Sequence, residues 1–268
     1  MPILSVTGLK GGVGKSVLIH NLAGAFALSG KKVLCIDNDS QSSLSSGVFG
    51  PTAVEGFDPG TTIAALYADL DPLPERIIRP SGVDRIDVIA GSLTASRYNL
   101  PEPFAAPVEL QTCLRSFLAE VRGEYNYILI DNPPNLQLAN WASLVASDYS
   151  LAPITPEDYS SMSLSPALEA VRQAADGPNS RLHLLGLVLT LVQPRLGVHA
   201  AYERVLRELH GDAVFGTRIP ASADVKEAIS RRLPVTHYKP RGASAKAFKA
   251  LAEEILSRIE ALRHKEAA

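Results

Sequence analysis

The residues best suited to chemistry lie in a glycine-rich run near the amino terminus. Directly after the apolar run Ile3–Thr7, the chain contains the sequence Lys10-Gly11-Gly12-Val13-Gly14-Lys15-Ser16. Glycines let the backbone curl so that successive N–H groups face phosphate oxygens, and the helical pattern that begins at Val17 adds a positive dipole end. In such a loop Lys15 reaches the β- and γ-phosphates and the Ser16 hydroxyl binds Mg²⁺. We therefore expect a site for a nucleoside triphosphate.

The loop departs from the usual phosphate-binding pattern at its first position. Leu9 stands where that pattern has glycine, and Lys10 follows it. A lysine at this place is, taken alone, equally compatible with a solvated side chain. The whole run K-G-G-x-G-K-[ST] resembles the deviant Walker A motif of the ParA/MinD family of partition and positioning ATPases. The resemblance implies that residues 10–17 contact ATP, and that Lys10 crosses a dimer interface to the nucleotide of the second subunit.

Two carboxylates, Asp37 and Asp39, come at the end of the apolar run Lys32–Asp37. An aspartate at the end of a buried strand is common in α/β folds and is weak evidence alone. Here the segment resembles the family's switch I, D-x-D-P-Q-G, with Ser40 in place of proline and Ser42 in place of glycine. By that resemblance Asp39 orients the attacking water and Asp37 supports the Mg²⁺ ion.

A further strand pattern, Tyr127–Asp131, also ends in an aspartate. It fits a Walker B strand, in which Asp131 holds Mg²⁺ through water and orients Ser16. Asn132 and a Pro-Pro pair follow, and the two proline rings fix φ and stiffen the turn that resembles switch II. The family usually has Cys, Thr or Ser where Asn132 stands, so the local hydrogen bonds are expected to differ.

Apolar runs of strand length alternate with helical patterns along the chain. The predicted strands are Ile3–Thr7, Lys32–Asp37, Ile86–Ala90, Tyr127–Asp131, Tyr149–Ile154, Leu184–Leu191 and Ala213–Thr217. Most are continuously apolar, as expected for strands covered by helices on both faces. The pattern predicts an α/β fold of the P-loop NTPase type, with a doubly wound, mostly parallel sheet and the nucleotide at the carboxyl ends of its strands. At 268 residues, we expect one ATPase domain over residues 1–268.

Predictions outside these motifs are coarser. The segment Gly50–Pro107 is rich in proline and glycine and shows one helical pattern, Thr61–Leu70, and one strand. By resemblance to the family, Ala152–Ser160 forms the next strand-to-helix turn. The same resemblance places Pro220 and Ala221, in the turn after the last strand, beside the adenine.

Charge is unevenly distributed along the chain. Residues 181–268 hold 15 Lys and Arg against 9 Asp and Glu, whereas residues 1–180 hold 11 against 19. A basic carboxy-terminal third is expected where one face meets DNA phosphates, although a scattered solvated surface gives the same counts. The candidate DNA contacts are Lys226, Arg231, Arg232, Arg241, Lys246 and Lys249. Ala221 and Asp224 stand where DNA-binding relatives often carry arginine, so the patch is expected further along the chain.

The final stretch, Ala243–His264, is predicted to be an amphipathic helix. Glutamates on its polar side favour packing on the domain over a membrane-binding tail of the MinD type. No apolar run approaches the ~20 residues of a membrane span, and the first strand begins too early for a signal peptide. Cys35 and Cys113 lack metal-type spacing and are expected to be buried free thiols in a reducing cytoplasm.

The family resemblance implies a nucleotide-driven switch. ATP and Mg²⁺ join two subunits, the dimer binds nucleoid DNA nonspecifically, and a ParB-like partner stimulates hydrolysis and release. One alternative is a ParA-like ATPase that positions a protein cargo or organelle. Another is a MinD-like membrane-associated regulator. A metabolic enzyme related to the nitrogenase iron protein is disfavoured, because the chain lacks paired iron–sulfur cysteines.

Overall fold

The alternating patterns form a central sheet with helices packed on both faces. The computed structural model describes residues 1–69, 71–156 and 161–267. Its strands are β1 (Ile3–Val6), β2 (Val33–Asp37), β3 (Ile78–Pro80), β4 (Ile86–Ile89), β5 (Tyr127–Asp131), β6 (Tyr149–Ile154) and β7 (His183–Leu189). Its helices are α1 (Lys15–Leu28), α2 (Ser43–Phe49), α3 (Pro51–Glu55), α4 (Ile63–Asp69), α5 (Pro74–Ile77), α6 (Val108–Val121), α7 (Leu138–Ala146), α8 (Ser161–Asp176), α9 (Gly197–His210), α10 (Ala223–Ser230), α11 (Val235–Tyr238) and α12 (Ala243–Ala267). Short 3₁₀ turns lie at Pro59–Thr61, Leu93–Tyr98, Pro103–Ala105 and Gly211–Ala213.

The order of the strands places β1 between β5 and β6 in the interior of the sheet. Across the described residues the sheet runs β3-β4-β2-β5-β1-β6-β7. Every pairing in it is parallel except that of β3 with β4. The connection from β1 to β2 runs toward one edge of the sheet and the connection from β5 to β6 runs past β1 toward the other, so a crevice opens beyond the carboxyl ends of the strands at β1. The predicted fold class is confirmed.

The central strands bury their side chains on both faces. Leu4 and Val6 of β1 pack in the same cluster as residues of α1 and α12, whereas Ile3 packs on the opposite face with residues of α6. This two-sided burial explains why the strands read as continuous apolar runs rather than as alternating ones. Cys35 and Cys113 are buried free thiols, as predicted.

The predicted strand at Ala213–Thr217 is wrong. This segment follows β7 through only one isolated bridge, Leu187 to Val214, in the described part of the chain. The Phe215 N–H donates to the Leu187 carbonyl oxygen at 2.8 Å, but the N–H groups of Gly216 and Thr217 instead donate to the Glu254 carboxylate of α12, both at 2.8 Å. Because these donors are taken by a side chain, the pairing with β7 is interrupted until the Ile219 N–H, which donates to the Leu189 carbonyl oxygen, and no strand forms over Ala213–Thr217.

The segment Gly50–Pro107 contains more regular structure than its composition predicts. The strand β3 was not predicted, and it pairs antiparallel with β4 at the edge of the sheet. Pro80 ends β3, and proline is tolerated there because β3 is an edge strand in which this residue's missing N–H is not needed for pairing with β4. Leu70, at the end of the predicted helix, and residues 157–160, in the predicted strand-to-helix turn, lie outside the described residues.

The last helix packs on the domain, as predicted. Phe248, Leu251, Ile255 and Ile259 of α12 are fully buried in the cluster that contains the apolar face of α1. Its apolar side is therefore covered by the protein. Among the described residues, no helix combines the length and apolar character that crossing a bilayer requires.

Candidate nucleotide-binding site

The glycine-rich loop between β1 and α1 has the backbone conformation that its glycines permit. Gly12 and Gly14 adopt φ values of 79° and 85°, in the left-handed region that disfavours residues with a Cβ. Gly14 directly precedes the first turn of α1. The free N–H groups of that turn therefore face the crevice above β1, where an anion is stabilised by the helix dipole.

Lys15 is held across the mouth of this loop. Its Nζ donates to the carbonyl oxygens of Gly8, at 3.1 Å, and Lys10, at 3.3 Å. Burial lowers the pKa of the Lys15 ammonium, and the nearby Asp131 and Asp39 carboxylates oppose that shift. A partly desolvated cation beside free N–H groups is suited to a phosphate oxygen.

Thr190, which sequence analysis missed, supports the loop from below. Its hydroxyl at the end of β7 donates to the Val13 carbonyl oxygen at 2.8 Å. The two residues are 177 positions apart, so no local pattern indicates the contact.

Asp37 is fully buried at the end of β2. Its Oδ2 accepts the Ser45 N–H at 2.7 Å and the Ser45 hydroxyl at 2.6 Å. Burial raises the pKa of Asp37 to about 6, and the two Ser45 hydrogen bonds act in the opposite direction. A Cβ added to Gly91 would lie 2.9 Å from the Asp37 carboxyl carbon, so glycine is required beside it.

Asp39 lies in the loop that leads from β2 to α2. Its Oδ1 accepts the Gln41 N–H at 3.0 Å, which orients the carboxylate. Ser42, where the family has glycine, keeps a left-handed φ of 53°. A serine in this conformation destabilises the loop by about 1 kcal/mol, because its Cβ approaches the backbone. Because Ser42 still adopts the left-handed conformation, the loop keeps its shape although serine replaces glycine.

Asp131 is the most unusual buried group of the site. It is paired in register with Asp37 on one side and with Val6 on the other, so the two carboxylates end neighbouring strands at the same level. Within the described residues neither of its oxygens has a hydrogen-bond partner. Burial and the charge of Asp37 raise the pKa of Asp131 well above its usual value. The nearby Ser16 hydroxyl and Lys15 ammonium offset part of this rise, although the Ser16 hydroxyl completes no hydrogen bond to the carboxylate.

Some of these groups line one cavity of about 460 Å³, within the range of small-molecule sites, whereas Asp37 and Asp131 are not among its lining residues. It is lined by Gly11, Gly12, Gly14, Lys15, Ser16, Val17, His20, Asp39, Gln41, Ser43, Leu44, Gly47, Pro134 and Ile229. Lys15 and Ser16 of the glycine-rich loop and Asp39 of the segment that resembles switch I, predicted from two different motifs, thus share one cavity. Pro220 and Ala221 are not among its lining residues; Ala221 N–H donates to the Val192 carbonyl oxygen at 3.0 Å beside the end of β7.

A buried amide pair, which sequence analysis did not find, joins the loops after β2 and β5. Asn38 Nδ2 donates to Asn132 Oδ1 at 3.3 Å, and the Tyr67 hydroxyl donates to Asn38 Oδ1 at 2.9 Å. Asn132 Nδ2 in turn donates to the Ser143 hydroxyl at 3.0 Å. Asn132 therefore replaces the smaller residue of the family with a side chain that bonds to both neighbouring elements.

The six candidate DNA contacts occupy α10, α12 and the segment between them. Lys226, Arg231, Arg241 and Lys246 are exposed, whereas Arg232 and Lys249 are half-buried. The Arg231 guanidinium lies 5.3 Å from the centre of the Tyr238 ring. Arg232 differs from the others because its guanidinium donates to the Ser46 carbonyl oxygen of α2 at 3.0 Å.

Comparison with known proteins agrees with this geometry. A family model described as an AAA domain matches residues 1–184. The chain is 31% identical to the chromosome-partitioning ATPase Soj of Treponema pallidum, over 93% of this chain and 94% of that protein. It is 31% identical to the sporulation initiation inhibitor protein Soj of Bacillus subtilis, over 94% and 97%. The fold is similar to that of cobyrinic acid a,c-diamide synthase from Mycobacterium smegmatis with bound ADP and magnesium, with a TM-score of 0.79, 18% identity and coverage of 97% and 96%.

Proposed function

We propose, since the chain belongs to the ParA/MinD family of ATPases, that it is a partition ATPase of chromosomes or plasmids. It hydrolyses ATP to ADP and phosphate in the cavity above β1, and residues 1–268 act as one ATPase domain. The observation that carries the proposal is the unpartnered Asp131 carboxylate beside Lys15 and Ser16. A buried carboxylate without a hydrogen bond is strongly unfavourable unless a cation neutralises it.

The donor set fits Mg²⁺, which prefers oxygen ligands and keeps several waters. Ser16 and Asp131 supply a hydroxyl and a carboxylate, and Asp37 lies opposite Asp131 in the sheet. Because Ser45 occupies Asp37 Oδ2, we assign Asp37 a supporting role through water. Held by these residues, Mg²⁺ would neutralise the negative charge that develops on the phosphate oxygens during hydrolysis.

The remaining site residues position the phosphates and the water. The N–H groups of residues 11–17 hold the phosphate oxygens, and the Lys15 ammonium pairs with them. Asp39, oriented by the Gln41 N–H, accepts a hydrogen bond from the attacking water and aligns it with the γ-phosphorus. Pro220 and Ala221 are proposed to flank the adenine.

Assembly is proposed to follow nucleotide occupancy. Lys10 is exposed at the mouth of the loop, and a Cβ at Gly11 would meet no atom within 4 Å. The loop therefore has room to accept a second subunit, and Lys10 would reach the nucleotide across that interface. The dimer binds DNA nonspecifically through basic side chains, and hydrolysis stimulated by a ParB-like partner releases it. The proposed location is the cytoplasm, on the nucleoid.

The decisive experiment measures ATP hydrolysis and oligomeric state together. Asp39→Ala should bind ATP with Mg²⁺ but not turn it over, so a dimer should accumulate in light-scattering chromatography. Gly11→Val should bind ATP and stay monomeric, because its side chain enters the interface and not the monomer's own atoms. A monomeric Asp39→Ala protein, or an ATP-dependent dimer of Gly11→Val, would contradict the assembly mechanism.

A binding comparison separates the DNA-bound form from the membrane alternative. With ATP, the wild-type protein should be retained on nonspecific DNA and not on anionic vesicles, because the apolar side of α12 is covered by α1. Retention on DNA should fall steeply as salt rises, since it depends on phosphate contacts. Binding to vesicles alone would indicate a MinD-like regulator.

A further inference from the structure

Arg232 occupies a backbone position that normally requires glycine. Its φ is 62°, in the left-handed region. The end of α10 is closed by two hydrogen bonds, from the Arg232 N–H to Ile229 O at 2.9 Å and from the Leu233 N–H to Ala228 O at 3.0 Å. This pair of bonds is a Schellman motif, in which the left-handed residue is usually glycine because it has no Cβ. An arginine here needs compensating contacts elsewhere.

The compensating contacts are made by the Arg232 guanidinium with α2 and with the last turn of α10. Arg232 Nη1 donates to the Ser46 carbonyl oxygen at 3.0 Å and to the Ile229 carbonyl oxygen at 3.4 Å. The same Ser46 oxygen accepts the Gly50 N–H at 3.1 Å, and a Cβ at Gly50 would lie 3.3 Å from Arg232 Nη2. A cation is thus packed against the negative dipole end of α2, where it is stabilising.

The two helices joined in this way line the same cavity. α2 contributes Ser43, Leu44 and Gly47, and α10 contributes Ile229. α2 begins at Ser43, directly after the loop that carries Asp39, and its residue before the first turn is the left-handed Ser42. One end of α2 therefore meets the proposed γ-phosphate loop, and the other meets Arg232.

We propose that Arg232 is a positioning residue that ties α2 to α10. When nucleotide orders the loop of Asp39, α2 moves with it, and the Arg232 guanidinium transmits that movement to α10. α10 carries the exposed Lys226 and is followed by Arg231, so the tie connects the nucleotide site to the proposed DNA-binding residues. The nucleotide part of this proposal rests on the proposed function. The assignment also replaces the predicted role of Arg232 as a DNA contact, because its side chain is directed to Ser46.

Hydrogen exchange of residues 43–50 and 223–230 tests the tie. In Arg232→Gly the backbone conformation is easier to adopt, so the protein should unfold at the same or a higher temperature. Without nucleotide, its α2 amides should exchange about tenfold faster than in the wild type, because one charge-assisted hydrogen bond is lost. With a non-hydrolysable ATP analogue and Mg²⁺, protection should rise in both helices of the wild type but only in α2 of Arg232→Gly.

Two further variants separate the tie from simple positive charge. Arg231→Ala removes the neighbouring charge without touching α2, and its exchange pattern should match that of the wild type. Arg232→Lys keeps the charge but lacks the planar guanidinium, whose Nη1 donates to both carbonyl oxygens while Nη2 lies beside Gly50, so it should restore little of the response. Full restoration by lysine, a wild-type α10 that does not respond, or wild-type behaviour of Arg232→Gly would each overturn the proposal.

Failure of the proposed function would give a different result. Calorimetry with the ATP analogue reports nucleotide binding independently of exchange, and absent binding or absent DNA retention contradicts the partition ATPase. The tie is then still judged from the nucleotide-free exchange rates of α2. Equal rates in Arg232→Gly and the wild type would overturn it, and faster rates in the variant would support it.

Discussion

Asp131→Asn should make the nucleotide-free protein more stable near pH 7.5 while abolishing ATP hydrolysis. The wild-type carboxylate is 1% exposed, and in the described part of the chain neither of its oxygens accepts a hydrogen bond. Burial and Asp37 raise its pKa well above the usual value. Asparagine has nearly the same shape but carries no charge. Its amide therefore fills the space without the penalty of a buried ion.

The size of the gain follows from proton linkage. A carboxyl whose pKa is raised by folding stabilises the folded state at low pH, and that stability is lost as pH rises from the unfolded pKa of about 4 toward the folded value. Near pH 7.5 this loss is at most about 5 kcal/mol, because an Asp131 carboxyl whose folded pKa lies above this pH stays protonated and loses no further stability. The buried asparagine amide costs about 2 kcal/mol if unpaired. The net gain is therefore at most about 3 kcal/mol, or roughly 6–12 °C in Tm.

Thermal unfolding between about pH 5 and pH 7.5 measures this gain against the wild type. Near pH 5 the linkage loss falls to about 1.6 kcal/mol, so the advantage of Asp131→Asn should disappear there. Asn132→Asp is a matched control, because it adds a buried carboxylate next to the site and should lower Tm more at pH 7.5 than at pH 5. A lower Tm of Asp131→Asn at pH 7.5, or a gain independent of pH, would refute the reasoning.

Three further substitutions test other parts of the site. Lys15→Ala should abolish ATP binding, measured with a fluorescent analogue, since it removes the ammonium held over the loop; unchanged affinity would contradict the site. Ser42→Gly should raise the unfolding free energy by about 0.5–1 kcal/mol in urea, because glycine adopts its left-handed φ without strain; a loss would show that the hydroxyl matters more. Tyr67→Phe should lower the unfolding free energy by about 1–3 kcal/mol, because the buried Asn38 Oδ1 loses its hydrogen-bond donor. An unchanged urea midpoint would show that this hydrogen bond contributes little.

The motifs that sequence analysis located are those whose geometry is local. The phosphate loop depends on left-handed glycines within a few residues of Lys15, and the two strands that end in Asp37 and Asp131 depend on continuous apolar runs. Each of these features is complete within one short segment. The fold class followed because continuous strands separated by helices have few alternative arrangements.

What could not be predicted depends on contacts between distant segments. Glu254 accepts the N–H groups of Gly216 and Thr217, which prevents the expected strand, and it lies 38 and 37 positions away from them, respectively. The partner of Arg232 on α2 lies 186 positions away, so a guanidinium that binds a helix end reads in the sequence as one more basic residue. The sequence does not distinguish an arginine that binds a helix end from one that contacts DNA, because in both cases an arginine stands in a basic segment.

The position of α2 is determined by its contacts with other elements, both at its two ends and through the buried Leu44 and Val48, rather than by the stability of the helix itself. It has seven residues, too few for a helix to be stable on its own in water. Its first residue follows Ser42, and the Ser46 carbonyl oxygen near its other end accepts a hydrogen bond from the Arg232 guanidinium. Each end of α2 is therefore held by a left-handed residue other than glycine. These strained positions persist because the surrounding contacts favour them, and such sites are common where a segment must change state. A ligand that contacts the loop of Asp39 therefore acts on an element with little stability of its own, and the far end of that element is fastened to α10.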